Sequence, residues 1–135
     1  MTNVVEIKNV KKTYQLGSVN VTALQGLSLE LKKGDFTALI GSSGSGKTTL
    51  LNLIGCLDDP DSGQILIDGV DTQKLNDDQK SHLRNQKIGF IFQSFNLVPV
   101  LSVFENVELP LTVQSNVTAA ERAQRVENAL KDVGL

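Results

Sequence analysis

Residues 41–48 read Gly-Ser-Ser-Gly-Ser-Gly-Lys-Thr, which meets G-x-x-x-x-G-K-[ST] at every fixed position. Each fixed residue has a physical duty toward a polyphosphate. Gly44 and Gly46 tolerate positive φ and let the main chain approach an anion closely. Successive N–H groups pointing inward form a nest, and the helix opening near Lys47 adds the positive end of its dipole. Lys47 brings a cation for the β- and γ-phosphates, and Thr48 a hydroxyl for Mg²⁺. The dinucleotide pattern G-x-G-x-x-G fits less well, because Thr49 stands where its third glycine belongs.

Such a loop works only between a buried strand and a helix. Residues 36–40 form a short apolar run, the pattern of a strand covered on both faces. Behind the loop, Leu50, Ile54 and Leu57 fall on one stripe of a helix expected over 47–57. About forty residues of β-patterned chain precede the loop: Val5 and Ile7 alternate with polar neighbours, as do Leu27, Leu29 and Leu31, and a turn follows at 33–35. Further strands are expected at 64–68 and 88–92, with a loop at 58–63 punctuated by Pro60 and Gly63. Asn76 and Gln79 spell a capping box for a helix reaching about Asn85, and Thr118 and Glu121 a second. Behind the latter, Ala123, Val126, Leu130 and Val133 share a face, and Gly134 is the expected stop. Residues 96–112 contain Pro99 and Pro110 and read as partly irregular.

The 135 residues are one domain's worth, 40% hydrophobic and 21% charged, as in globular proteins. A net charge of −2 argues against a general nucleic-acid binder. No apolar run approaches the roughly 18 residues of a membrane span. One cysteine, Cys56, excludes an internal disulfide, and one histidine, His82, cannot build a metal cluster alone. Cys56 sits among apolar neighbours and reads as packing; His82 sits among Asp78, Gln79, Lys80 and Arg84 and reads as a solvated helix face.

Among phosphate-loop classes, a switch GTPase needs D-x-x-G after the loop, and no glycine here has Asp three residues before it. The residues instead resemble the nucleotide-binding domain of ABC transporters over the whole chain. Tyr14 stands where that family keeps an aromatic stacking on adenine, and residues 41–51 match its Walker A loop and helix. Residues 60–69, with Pro60, Gly63, Asp68 and Gly69, match its P-x-x-G strand-and-turn segment, and Phe92 and Gln93 its Q-loop. Residues 54–58, 92–97 and 105–110 resemble the lipoprotein-release and macrolide-export branch.

The resemblance implies an α/β P-loop NTPase fold with a parallel core sheet and an antiparallel β-subdomain. Residues 1–95 would hold the β-subdomain and phosphate-loop core, and 96–135 the start of a helical subdomain. It implies binding of ATP and Mg²⁺, with Tyr14, Gly41, Ser42, Ser43, Gly44, Ser45, Gly46, Lys47, Thr48 and Thr49 contacting nucleotide. Thr48 and Gln93 would meet the metal, and Lys47 and Gln93 would serve hydrolysis. The partners implied are a membrane permease and a second ATP-binding subunit in a head-to-tail dimer, with no nucleic acid, at the cytoplasmic face of a bacterial membrane.

Other family motifs are missing. No Gly-Gly pair exists for the signature Leu-Ser-Gly-Gly-Gln, and Asp68 is followed by Gly69 where a Walker B needs glutamate. His82 comes too early to be the switch histidine. The chain is therefore expected to stop about halfway, before the signature, and to lack hydrolysis on its own although the whole protein is an ATPase. The rival reading is a non-catalytic nucleotide-binding or interaction module formed by the half-domain itself.

Overall fold

The computed structural model describes residues 2–114 and 116–135. Two long strands, β1 (Asn3–Leu16) and β2 (Val19–Lys32), pair antiparallel as a hairpin. Strand β3 (Ser62–Ile67) pairs antiparallel on the other side of β1, and the two-residue β4 (Val70–Asp71) on β3, so the sheet order is β2-β1-β3-β4. The register explains the core. Ile7 lies opposite Leu29 on one side and Ile65 on the other, and Val5 opposite Leu31 and Ile67. This apolar face is covered by α1 (Lys47–Ile54), whose Leu50 and Leu53 join Val5, Ile7, Val10, Leu24 and Ile65 in one buried cluster.

Helix α1 ends three residues before the expected position. Cys56 takes φ 52°, and the amides of Cys56 and Leu57 return to the carbonyls of Leu53 and Asn52. That closing pattern needs a left-handed residue and ends the helix. Leu57 is thereby turned out to solvent, while Cys56 is buried, as its apolar neighbours indicate. Helix α2 (Asp77–Lys87) carries the expected Asn76–Gln79 capping box, and His82 on it is exposed.

Sheet position also dictates a glycine. Register shifts in β1 surround Asn9, which has φ 50°. Gly63 of β3 has φ +95°, and a Cβ there would stand 2.5 Å from the Asn9 carbonyl oxygen and 2.6 Å from Val10 Cα. Both obstacles are main chain, so neither can swing aside. Gly63→Ala is expected to cost about 2–5 kcal/mol, combining left-handed strain with overpacking. Urea unfolding measures it, and a loss under about 1 kcal/mol would show that β1 yields.

The chain forms two compact units: the first runs to Phe90, and the second is Ile91–Leu135. In the second unit, α3 (Val103–Thr112) is capped by a Ser102–Glu105 box in a region expected to be partly irregular. The Asn106 side chain closes residues 98–102 onto the helix, bonding Val98 N and O, Leu101 O and Ser102 O. Pro110 lies inside the last turn of α3. Helix α4 (Ala119–Asp132) is capped by Thr118, and Arg122 reaches Glu108 of α3 at 3.2 Å. Val126 is the buried member of the expected apolar face; Ala123 and Leu130 are half-buried and Val133 is exposed.

One expectation is not met. Residues 36–40 and 88–92 form no strand, so no parallel core sheet is present among the described residues. Phe36, Ile40 and Ile91 are almost fully exposed, at 99%, 94% and 102%. A parallel strand is stable only with neighbours on its edges and cover on both faces, and Phe36, Ile40 and Ile91 lack that cover.

Candidate functional site

The end of the 36–40 segment, the glycine loop and α1 build one site in the first unit. Ser45 N–H closes a turn on Ser42 O at 3.3 Å. Gly44 and Gly46 have φ 78° and 88°, the left-handed region the loop requires of glycine. At Gly46 no other residue fits, since a Cβ would lie 2.6 Å from the Ala23 carbonyl oxygen.

Gly46 is also the N-cap of α1, and it offers no side-chain cap to the first-turn amides. Helices α2, α3 and α4 are all capped by a side chain. Uncapped N–H groups, with no acidic residue in the first turn of α1, are free to bind an anion and carry the helix's partial positive charge. Lys47 adds a full charge. Its Nζ donates to Gly41 O at 2.8 Å, Ser42 O at 2.7 Å and Ser45 Oγ at 3.2 Å. The ammonium is thus held across the loop, with a hydroxyl contact that a phosphate oxygen can replace.

These groups open on a cavity of about 400 Å³ lined by Tyr14, Val21, Thr22, Ala23 and residues 43–49. That volume lies within the range of small-molecule sites. None of the lining residues is acidic. The loop thus forms one side and the hairpin the other, with Tyr14 contributed by β1 and Val21–Ala23 positions by β2. Of the expected residues, Tyr14, Ser43, Gly44, Ser45, Gly46, Lys47, Thr48 and Thr49 meet here, while Gly41 and Ser42 act through their carbonyls on Lys47. Gln93 is an exposed residue of the second unit.

Sequence reasoning missed the support behind Tyr14. Its hydroxyl donates to Asp58 Oδ2 at 2.8 Å, and Lys12 Nζ meets Asp58 Oδ1 at 2.7 Å. Burial, then the Asp58 bond, push the Tyr14 phenol above its ordinary value, with the adjoining Thr49 hydroxyl acting the other way. Burial alone would raise the Asp58 carboxyl, but bonds from Lys12, Tyr14 and the Asp59 amide outweigh it and hold it low. For Lys12, burial works downward, yet Asp58 prevails and the ammonium is raised. The sole signal in sequence was three aspartates, 58, 59 and 61, crowded into one loop.

The signs give a pH prediction. A depressed Asp58 stabilises the fold above the ordinary carboxylate range, and this is lost as pH falls through the depressed value. Raised Tyr14 and Lys12 contribute below their ordinary values, 10.0 and 10.5, and lose that contribution as pH rises through the raised ones. Stability should therefore fall on both the acid and the alkaline side, and Asp58→Asn should flatten both limbs. Urea midpoints at about pH 3, 7 and 11 check this; parallel profiles for the two proteins would count against the cluster.

A glycine loop feeding an uncapped helix, with its lysine held across the loop, defines a phosphate-loop nucleotide-binding protein. Comparison with known proteins takes the assignment further. The ABC transporter family model matches residues 24–135. The chain is 47% identical over 135 residues to an uncharacterized ABC transporter ATP-binding protein of Thermotoga maritima, covering 100% of this chain and 57% of that protein. It is 47% identical over 128 residues to the macrolide export ATP-binding/permease protein MacB of Syntrophobacter fumaroxidans, covering 95% of this chain and 18% of that one. A post-hydrolysis dimer of the ATP-binding cassette MJ0796, bound to ADP and Pi, superposes with a TM-score of 0.87 at 46% identity, over 97% of this chain and 57% of that one. The chain belongs to the ABC transporter ATP-binding family, and its fold is that of a P-loop NTPase. It spans 57% of the length of the Thermotoga protein.

Proposed function

We propose that this chain is the nucleotide-binding part of an ABC transporter ATPase, in which ATP binding and hydrolysis drive a membrane permease. The observation that carries this is a single cavity with an anion-binding loop and Lys47 on one side and an aromatic ring, Tyr14, on the other. A nucleotide has both chemistries, a polyphosphate and a stacking base. Ring stacking reads a π-face rather than an edge, so Tyr14 accepts adenine without choosing it by hydrogen bonds.

In this reading the loop amides and Lys47 bind and orient the β- and γ-phosphates, and Thr48 together with Gln93 would hold Mg²⁺. The residues fit that ion, since a hydroxyl and an amide oxygen are hard donors. The metal supplies neutralisation of the phosphate charge. Lys47 and Gln93 are the residues of this chain assigned to hydrolysis, Lys47 by stabilising charge on the transferred group.

The second ATP-binding subunit and the permease are the partners proposed, at the cytoplasmic face of the membrane. The MJ0796 cassette is dimeric and MacB combines ATP-binding and permease functions by name, which supports both. No helix among the described residues is long and apolar enough to cross a membrane. The permease-facing region proposed is 96–110, where Leu97 and Val100 are exposed, as is Phe95 beside it. The test of the nucleotide reading is titration with Mg-ATP: one-site binding that Lys47→Ala weakens supports it, and no binding by the wild type overturns it.

A further inference from the structure

Asp58 has no role in the reading above, yet it is the group most closely tied to the aromatic side of the cavity. Its two oxygens are divided: Oδ2 accepts from Tyr14, while Oδ1 accepts from Lys12 Nζ and from the Asp59 amide, each at 2.7 Å. The Lys12 ammonium, which also donates to Asp59 O at 2.7 Å, lies 5.1 Å from the centre of the Tyr14 ring. One residue pair therefore grips the tyrosine twice, at its hydroxyl and over its face.

The loop carrying Asp58 is itself fixed. Asp61 Oδ2 accepts the Thr13 amide at 2.7 Å, and the Asp61 amide donates to Lys11 O at 2.9 Å, which ties the loop to β1. Lys80 of α2 meets both carboxylate oxygens of Asp59, at 2.7 and 2.6 Å. Arg84 donates to Cys56 O at 2.8 Å, and Pro60 is buried. Asp58 is thus presented by a segment held from two sides.

A ring that serves as a stacking platform binds more tightly when its rotamer is set in advance, because ordering a mobile side chain opposes association. We propose that Asp58, with Lys12, is a positioning residue for nucleobase recognition: it fixes Tyr14 in the orientation that receives the base. The proposal rests on the reading of Tyr14 as the base platform. Asp58 touches neither base nor phosphate in it and acts only through the tyrosine. The shifts of Asp58 downward and Tyr14 upward agree with a phenol donating to a carboxylate.

The chain has one tyrosine and no tryptophan, so its tyrosine emission reports Tyr14 alone. A hydrogen bond to a carboxylate quenches such emission. Emission of the nucleotide-free chain should rise in Asp58→Asn and in Asp58→Ala; asparagine preserves the side-chain size, which keeps the test open where alanine fails to fold. Calorimetric titrations with ATP and with inorganic tripolyphosphate then separate positioning from support of the loop. Tyr14→Phe and Asp58→Ala should each weaken ATP binding about twofold to tenfold, the range of one hydrogen bond. The double variant should weaken it no further than either alone, and tripolyphosphate affinity should be unchanged throughout. Tyr14→Ala should lose more ATP affinity than any of these.

Equal weakening of ATP and tripolyphosphate by Asp58→Ala would assign Asp58 to holding the loop and overturn the proposal. So would additive losses in the double variant, or Asp58 variants that bind ATP normally while Tyr14→Ala does not; that last result leaves the nucleotide reading standing. A wild-type chain that binds neither ligand overturns both.

Discussion

Lys47→Ala is expected to weaken Mg-ATP binding about thirtyfold to a thousandfold, a loss of about 2–4 kcal/mol for one or two charge-assisted hydrogen bonds to phosphate. The lysine is not a free surface cation. Its ammonium spans the loop through Gly41 O, Ser42 O and Ser45 Oγ, and it is the only cation among the residues lining the cavity. Removing it leaves the loop amides and the end of α1, which bind an anion without a compensating full charge. Lys47→Arg is the informative companion. It retains the charge but presents a planar fork in place of a compact ammonium, so it should recover little of the affinity. Because the loop is exposed, neither change should move the urea midpoint by more than the equivalent of about 0.5 kcal/mol. Calorimetric titration of the three proteins checks this. Equal affinity in wild type and Lys47→Ala would mean that phosphate lies elsewhere.

The phosphate loop was legible from spacing because its chemistry is local: eight consecutive residues supply the turn, the amides and the charge. The capping boxes at Asn76 and Thr118 were legible for the same reason, although at Thr118 the glutamate three residues on pairs with Arg125 at 2.7 Å instead. The hairpin and β3 were legible from alternation, because one face of that sheet is buried against α1. The tie between Tyr14 and Asp58 was not. It joins residues 44 positions apart and exists only once β3 pairs with β1 and draws the 58–61 loop alongside. The end of α1 was missed because left-handed Cys56 carries no composition signal of the kind glycine gives. The runs 36–40 and 88–92 show the opposite failure. Their apolar character reads as a sheet interior, but a ladder is a property of pairs of strands, and no strand forms there. High strand preference does not by itself make a ladder.

ATP turnover by the 135-residue chain is expected to stay near background even when nucleotide binds. The cavity lining contains no carboxylate, so no side chain there can accept a proton from an attacking water. In the first unit the glutamates are Glu6 and Glu30, and both belong to sheet strands, Glu6 paired with Lys8 and Glu30 accepting from Asn3. Asp68, which ends an apolar strand as a metal-binding aspartate does, sits in a turn with φ 47° and pairs with Lys87 at 2.9 Å. His82 lines a different cavity, with Val70, Leu75 and Leu83. In the proposed reading Lys47 and the loop hold the phosphates and offset their charge, the cavity lining adds no carboxylate to activate water, and binding that is equal in ground and transition states does not accelerate chemistry. Loss of one preorganised contact costs about 10²–10³ in rate. Contacts acting together are not additive, so this is a minimum. Against a median enzyme turnover of about 10 s⁻¹, the chain should release phosphate more slowly than about 0.1 s⁻¹. A steady-state phosphate-release assay on purified chain decides it, with Lys47→Ala as the control for contaminating ATPase. Turnover of several per second that disappears in Lys47→Ala would show that residues 1–135 already suffice for hydrolysis, and Gln93, proposed above to serve it, would be the first side chain to substitute.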